Sequence, residues 1–230
     1  MASKIYTKTG DQGETQLRDG QRLSKSSLVF EVLGEIDELN CHLGRIEAMM
    51  QTFVRHWQQL QTPTNQALAK QDQSLFSQQQ QIIAGLRQLS TQLQSQQNRL
   101  MQASAVLALK EYPADQLQPF QAMTSTLEQE IDTWQQSLPE LTNFLLPGGH
   151  VLAAELMLAR AVCRRAERRL VRLAQVRSRG LSQTEAAKVT PAAIMQFMNR
   201  LSDWLFVAAR QANQVMRVDE RIWHNSGSRS

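Results

Sequence analysis

The chain has 230 residues, of which 42% are hydrophobic and 20% charged, and its net charge is +4. This length allows one large soluble domain or two small ones, with a single substantial core feasible, and 10 glycines and 6 prolines are few for an all-β fold built on many turns. The amino terminus, MASKIYTK, has no apolar stretch behind its lysine, and no run approaches the roughly 20 apolar residues of a membrane span, so a cytoplasmic protein without a membrane partner is expected.

Residues 1–25 are polar and show no periodicity. Within YTKTGDQGET, Gly10 and Gly13 allow close backbone approach, and Thr7, Lys8, Thr9 and Thr15 supply donors. These are parts for holding phosphate, although the Walker pattern is absent and a solvated tail has the same composition. From Ser26 the pattern becomes helical: Leu28, Val32, Ile36, Leu39 and Leu43 form one stripe, predicting a helix to about Thr52. Residues 51–100 are Gln-rich, which suits the wet face of a long helix or, over 51–80, an insertion, and Leu86, Leu89, Leu93, Leu100 and Val106 predict a second helix over 74–109.

Two prolines in EYPADQLQPF interrupt the periodicity, and TSTLEQEIDTWQQSL resumes it, with Thr126 as a candidate cap. Pro147, Gly148 and Gly149 punctuate the next boundary, before a long helix over 150–176. A last helical stretch is bracketed by Ser182 ahead of Glu185 and by Thr190 ahead of Pro191 at a first helical position. The expected fold is all-α: a five-helix bundle over 26–215 with an ordered N-terminal loop, and 216–230 as a C-terminal tail. Cys41 and Cys163, far apart in sequence, read as two buried thiols.

The positive charge is concentrated, with eight arginines between Arg160 and Arg179. Arg160, Arg164 and Glu167 are spaced i, i+4, i+7 and share a face, while Arg165, Arg169 and Arg172 fall on a neighbouring one. Such a face is either an anion clamp with an orienting acid or a salt-bridged helix surface. Asn199 and Asp203, set among Phe197, Leu201, Leu205 and Val207, are either a core network or part of a site, and GEIDELN invites the same two readings for Asp37, Glu38 and Asn40. A nucleic-acid-binding protein is the third class that the arginines suggest, but few aromatic residues are interleaved with them as base-stacking platforms, and no nucleic-acid partner is expected.

The blocks KIYTKTGDQGET, VLGEIDELNCHLG, FLLPGGHVLAAEL, ARAVCRRAER and NRLSDWLFVAAR resemble, in order and character, the signature blocks of the PduO-type ATP:cob(I)alamin adenosyltransferases. They cover the first 50 residues and most of 140–215. The resemblance implies a ferritin-like five-helix bundle forming a homotrimer, with ATP and cobalamin bound as substrates between subunits and Mg²⁺ as cofactor. It implies transfer of the 5′-deoxyadenosyl group of ATP to the cobalt of cob(I)alamin, releasing triphosphate. A noncatalytic nucleotide- or cobalamin-binding module, or a cobalamin chaperone, is the alternative. A reductase and a cobalamin-dependent acceptor enzyme are possible partners.

By the same resemblance, Thr7, Lys8, Thr9, Gly10, Asp11, Gly13 and Thr15 wrap the triphosphate, with Lys25 as a further contact. Arg160 and Arg164 are the cations at the reacting end, Glu167 and Asn199 help place the nucleotide and its Mg²⁺, and Asp37 pairs with Arg160 across the subunit boundary. Phe144 fills the lower face of the corrin and leaves cobalt four-coordinate, with Asp203 a further cobalamin contact. Met157 stands where many members have histidine.

Overall fold

The computed structural model describes residues 4–59 and 73–224. Most of them are helical. A short hairpin comes first, β1 (Glu14–Gln16) against β2 (Arg22–Ser24), with Thr15 opposite Leu23. Helix α1 follows (Leu28–Gln59) and buries Val29, Val32, Ile36, Leu39, Leu43, Ile46, Met50 and Val54. These alternate at three and four residues, the spacing that keeps one seam against a neighbouring helix. Because the stripe continues through Val54, α1 runs past the expected end at Thr52.

Helix α2 (Gln73–Leu107) agrees with the predicted second helix. The predicted insertion over 51–80 therefore contributes the end of α1 and the start of α2, and its middle, 60–72, lies outside the described residues. The glutamines of α2 are more than a wet face. Gln94 and Ser90 donate to Glu47 Oε1 of α1 at 2.9 Å, and Gln51 donates to the same oxygen at 3.0 Å. Burial opposes ionisation of Glu47, yet these hydrogen bonds hold its carboxyl below the ordinary value.

The prolines read as interruptions instead start helices: Pro113 precedes the single turn α3 (Ala114–Leu117), and Pro119 occupies the first position of α4 (Pro119–Gln135). Thr126 therefore lies inside α4, where its hydroxyl donates to Ala122 O at 2.9 Å, and it caps nothing. Strand β3 (Leu145–Leu146) leads into α5 (Val151–Ser178), then α6 (Gln183–Val189) and α7 (Ala192–Met216). Ser182 and Glu185 form the expected capping box, whereas Pro191 is the residue before α7 rather than its first.

Helix α5 packs between α1 and α7, α2 lies on α1 and also meets α7, and α4 covers the far side of α7. Trp204 centres the α4–α7 contact: its ring lies 5.2 Å from that of Trp134, and its Nε1–H donates to Glu130 Oε2 at 2.6 Å. That bond satisfies the polar end of a fully buried indole. Cys163 is buried as expected, but Cys41 is exposed. Among the described residues no helix is long and apolar enough to cross a membrane.

The segment expected to trail away as a tail turns back. Arg217 adopts the left-handed conformation, with φ 55°, and the chain reverses into β4 (Arg221–Ile222), which pairs antiparallel with β3. Residues 225–230 of that predicted tail lie outside the described residues.

Candidate active site

The N-terminal loop is built of tight turns. Asp11 N donates to Lys8 O, Gly13 N to Gly10 O, and Lys25 N to Gly13 O, the last at 2.8 Å. Lys8 itself has φ 59°, uncommon for a residue with a side chain. The Lys25 ammonium packs close over Gly10, where a methyl group would sit 3.1 Å from Nζ. Thr7 and Thr9 share a hydroxyl hydrogen bond of 2.8 Å, and Arg22 donates to Thr9 O. Thr7, Lys8, Thr9, Asp11, Gly13 and Lys25 are exposed, and Thr15 is half-buried in β1. The hairpin is anchored by buried Leu17 and by Asp19, which accepts from Lys110 N at 3.1 Å beyond the end of α2.

The arginines of α5 divide by face. Arg165 pairs with Glu35 and Glu38, and Arg169 pairs with Glu31 at 2.9 Å, joining α5 to α1. Hydrogen bonds donated to Glu38 and Glu35 push the pKa of the Arg165 guanidinium above its ordinary value. By contrast, Arg164, Arg168 and Arg172 are exposed and make no hydrogen bond or ion pair with described residues. The salt-bridged reading therefore holds for the face carrying Arg165 and Arg169, while Arg172 lies with Arg164 and Arg168 on the unpaired side.

Arg164, Glu167, Arg168, Val171 and Asn199 line a cavity of about 240 Å³ between α5 and α7. Asn199 Nδ2 donates to Glu167 Oε1 at 2.9 Å, fixing the carboxylate across the two helices. One turn back, the Arg160 guanidinium lies 5.5 Å from the centroid of the Phe206 ring. Beneath this face, burial pushes the Cys163 thiol far up, helped by Glu167 and only partly offset by Arg164, so it is an inert donor to Met198 O.

Asn199 and Asp203 are exposed, which rules out the core network read from their apolar neighbours. Asp203 is held by Arg200 at 2.7 Å, and Arg200 also reaches Glu128 at 3.0 Å. Asp37 is exposed and pairs with no described residue of its own chain, Arg160 included. The described residues of the N-terminal loop likewise make no hydrogen bond or ion pair with Arg160 or Arg164 of their own chain.

Phe144 is 80% exposed, so it is no core residue. It precedes β3, its carbonyl accepts from Trp223 N at 2.8 Å, and the Trp223 ring meets it edge-on with centroids 6.3 Å apart. Behind it, the PGG turn is fastened to α7: Asn213 accepts from His150 N at 2.8 Å and donates to Gly148 O at 3.3 Å. A second cavity, of about 540 Å³, is walled by 137–143, Leu145, 217–220 and Ile222 and includes Arg210. Met157 is half-buried and packs on the core.

Sequence reasoning missed Arg168 and Val171, although each lies one turn beyond a named residue, Arg164 and Glu167. It also missed Trp223 and Arg210, whose roles depend on a chain reversal that leaves no local pattern.

A family model described as cobalamin adenosyltransferase matches residues 5–212. A cobalamin adenosyltransferase of Cupriavidus metallidurans is 33% identical, covering 96% of this chain and 94% of the relative. A corrinoid adenosyltransferase of Bacillus subtilis is 35% identical, covering 91% and 86%. Among solved structures, a single-residue variant of the PduO-type ATP:corrinoid adenosyltransferase from Lactobacillus reuteri, complexed with cobalamin and ATP, superposes with a TM-score of 0.67. It is 30% identical, over 96% of this chain and all of that one. Its helical fold, its matched length and these relatives place the chain in one family: it belongs to the PduO-type corrinoid adenosyltransferases.

Proposed function

We propose that the protein transfers the 5′-deoxyadenosyl group of ATP to the cobalt of cob(I)alamin, giving adenosylcobalamin and triphosphate. The observation that carries this is the cavity between α5 and α7, where unpaired Arg164 and Arg168 flank a carboxylate held by Asn199. Cobalt(I) supplies the electron pair of the new Co–C bond, the C5′–O bond breaks, and its electrons leave on the triphosphate. Charge gathers on the leaving group, so fixed guanidinium groups of Arg164 and Arg160 stabilise the transition state more than the ground state.

The N-terminal loop then holds the polyphosphate, with Thr7, Lys8, Thr9, Gly10, Asp11, Gly13, Thr15 and Lys25 as its contacts. Because the described residues of this loop make no hydrogen bond or ion pair with Arg164 in their own chain, we assign the loop of one subunit to the helices of another. A homotrimer with sites between subunits is the arrangement we assign, each subunit a five-helix bundle over 26–215 behind a 1–25 loop. Exposed, unpaired Asp37 is free to meet Arg160 of a neighbouring copy. Glu167 suits Mg²⁺, which takes one or two carboxylates and otherwise phosphate oxygens and water. Its Oε1 is taken by Asn199, and Oε2 has no hydrogen-bond partner among the described residues. Bound Mg²⁺ would neutralise charge on the phosphates.

Phe144 offers an exposed ring that fills the lower face of the corrin and excludes a donating ligand, which eases reduction of Co(II) to Co(I). Asp203 is a further contact at that substrate. A reductase and an acceptor enzyme in the cytoplasm complete the sequence of electron supply and product use. The deciding experiment mixes the protein anaerobically with reduced cobalamin and MgATP, following the cobalamin spectrum together with triphosphate release. Adenosylated product and triphosphate in equal amounts are expected; binding without triphosphate would leave a carrier.

A further inference from the structure

Arg210 is 3% exposed on α7, and a guanidinium is rarely buried so deeply without a task. All its reach goes to chain outside the helix. Nε and Nη2 form a fork onto Glu220 at 2.7 and 3.0 Å, and Nη2 also donates to Pro139 O at 2.7 Å. One side chain therefore ties α7 to the segment before β3 and to the segment before β4. We propose that Arg210 is a positioning residue for the reaction: through Glu220 it holds the C-terminal segment folded back, so that β4 and Trp223 seat the Phe144 ring. This rests on Phe144 serving the lower face of the corrin.

Three observations carry the step from Arg210 to Phe144. The β3–β4 ladder is only two residues long, Leu145 with Ile222 and Leu146 with Arg221, and so short a pair is marginal without other support. Phe144 is 80% exposed, and its described partners, the Trp223 amide and ring, both come from the returning segment. The reversal itself, at Arg217 with φ 55°, sets a residue with a side chain in the left-handed region, which persists where surrounding contacts enforce it. The turn itself is capped by Arg217 N donating to Gln214 O and Val218 N to Asn213 O, and Glu220, three residues beyond it and three before Trp223, ties the chain that follows back to Arg210 of α7. With Arg210 buried and Glu220 half-buried, this bidentate pair fixes geometry as well as attraction.

Glu220→Gln is the first variant, with Trp223→Ala as a second that leaves the buried guanidinium paired. Two measurements are made on the full chain beside Phe144→Ala: hydrogen exchange of the amides of 144–146 and 221–223, and the four-coordinate Co(II) fraction by electron paramagnetic resonance with MgATP. Glu220→Gln should speed exchange in these strands but not in the middle of α7, and both variants should lower the four-coordinate fraction. The kcat should fall roughly 10- to 100-fold, as for an ångström-scale misplacement, with KM for ATP unchanged. Unchanged exchange in Glu220→Gln overturns the clamp. Faster exchange with an unchanged four-coordinate fraction, while Phe144→Ala lowers it, overturns the positioning role and leaves the site intact. A Phe144→Ala protein equal to wild type removes the role of Phe144 itself, and the proposal with it. Should Glu220→Gln fail to fold, Trp223→Ala decides: a wild-type fraction and kcat overturn the proposal.

Discussion

Asn199 donates its amide to Glu167 Oε1 at 2.9 Å, and this bond spans the two helices that wall the smaller cavity. A carboxylate beside Arg164 and Arg168 could otherwise swing onto either guanidinium and cancel its charge. Asn199→Ala frees it to do so. The expected result is a fall in kcat/KM for MgATP of about tenfold, equivalent to roughly 1.4 kcal/mol, a typical hydrogen bond to a charged group. Raising Mg²⁺ should recover part of the loss, and steady-state kinetics across a Mg²⁺ series checks it.

Arg164 is exposed and bonded to no described residue, so its removal costs the fold little, within about 0.5 kcal/mol. Its cost should appear in the reaction. Arg164→Ala is expected to lower kcat about 10²- to 10³-fold, the range for loss of one preorganised group facing developing charge. Arg164→Lys should restore part of this, since the charge returns without the planar fork. Anaerobic turnover beside a thermal melt separates the two effects, and wild-type turnover of Arg164→Ala would refute the role.

The helical frame was legible because its signal is periodic. Val32, Ile36, Leu39 and Leu43 repeat along α1 and are all buried. Asn199 and Asp203 misled because apolar neighbours in sequence point elsewhere on a helix: Phe197, Leu201 and Leu205 face the core, while residues 199 and 203 share the outer face. The return of the C-terminal segment was illegible for another reason. A two-residue strand has no alternation to read, and the Arg210–Glu220 pair that supports it links positions whose partnership exists only after the chain reverses. The candidate site was legible as residue types, and its split into paired and unpaired arginines depended on where α1 lies.

Gly149 has φ 89°, and a methyl group there would stand 2.4 Å from Asn213 Oδ1. Asn213 cannot simply withdraw, because it holds both His150 N and Gly148 O. Gly149→Ala therefore meets conformational strain of about 1–2 kcal/mol and loses one or both of these bonds as well. The expected destabilisation is about 2–4 kcal/mol by denaturant titration. Because the turn sits between β3 and α5, activity should fall further than the unfolded fraction explains.

His150 caps α5, its Nδ1 accepting from Leu152 N at 3.3 Å while its ring packs 5.1 Å from Phe53. Burial lowers its pKa from the ordinary 6.5. Between the folded value and 6.5 the unfolded chain binds more protons than the folded one, so stability rises with pH across that window. Above about pH 6.5 the cap's contribution is complete; it declines as pH falls toward the folded pKa and levels off below it. Protonation also removes the lone pair that accepts from Leu152, so the cap itself is lost. His150→Asn keeps an accepting cap and cannot titrate. Denaturant midpoints from pH 5 to 8 should show a weaker slope in that variant than in the wild type, and equal slopes would assign the dependence to other groups.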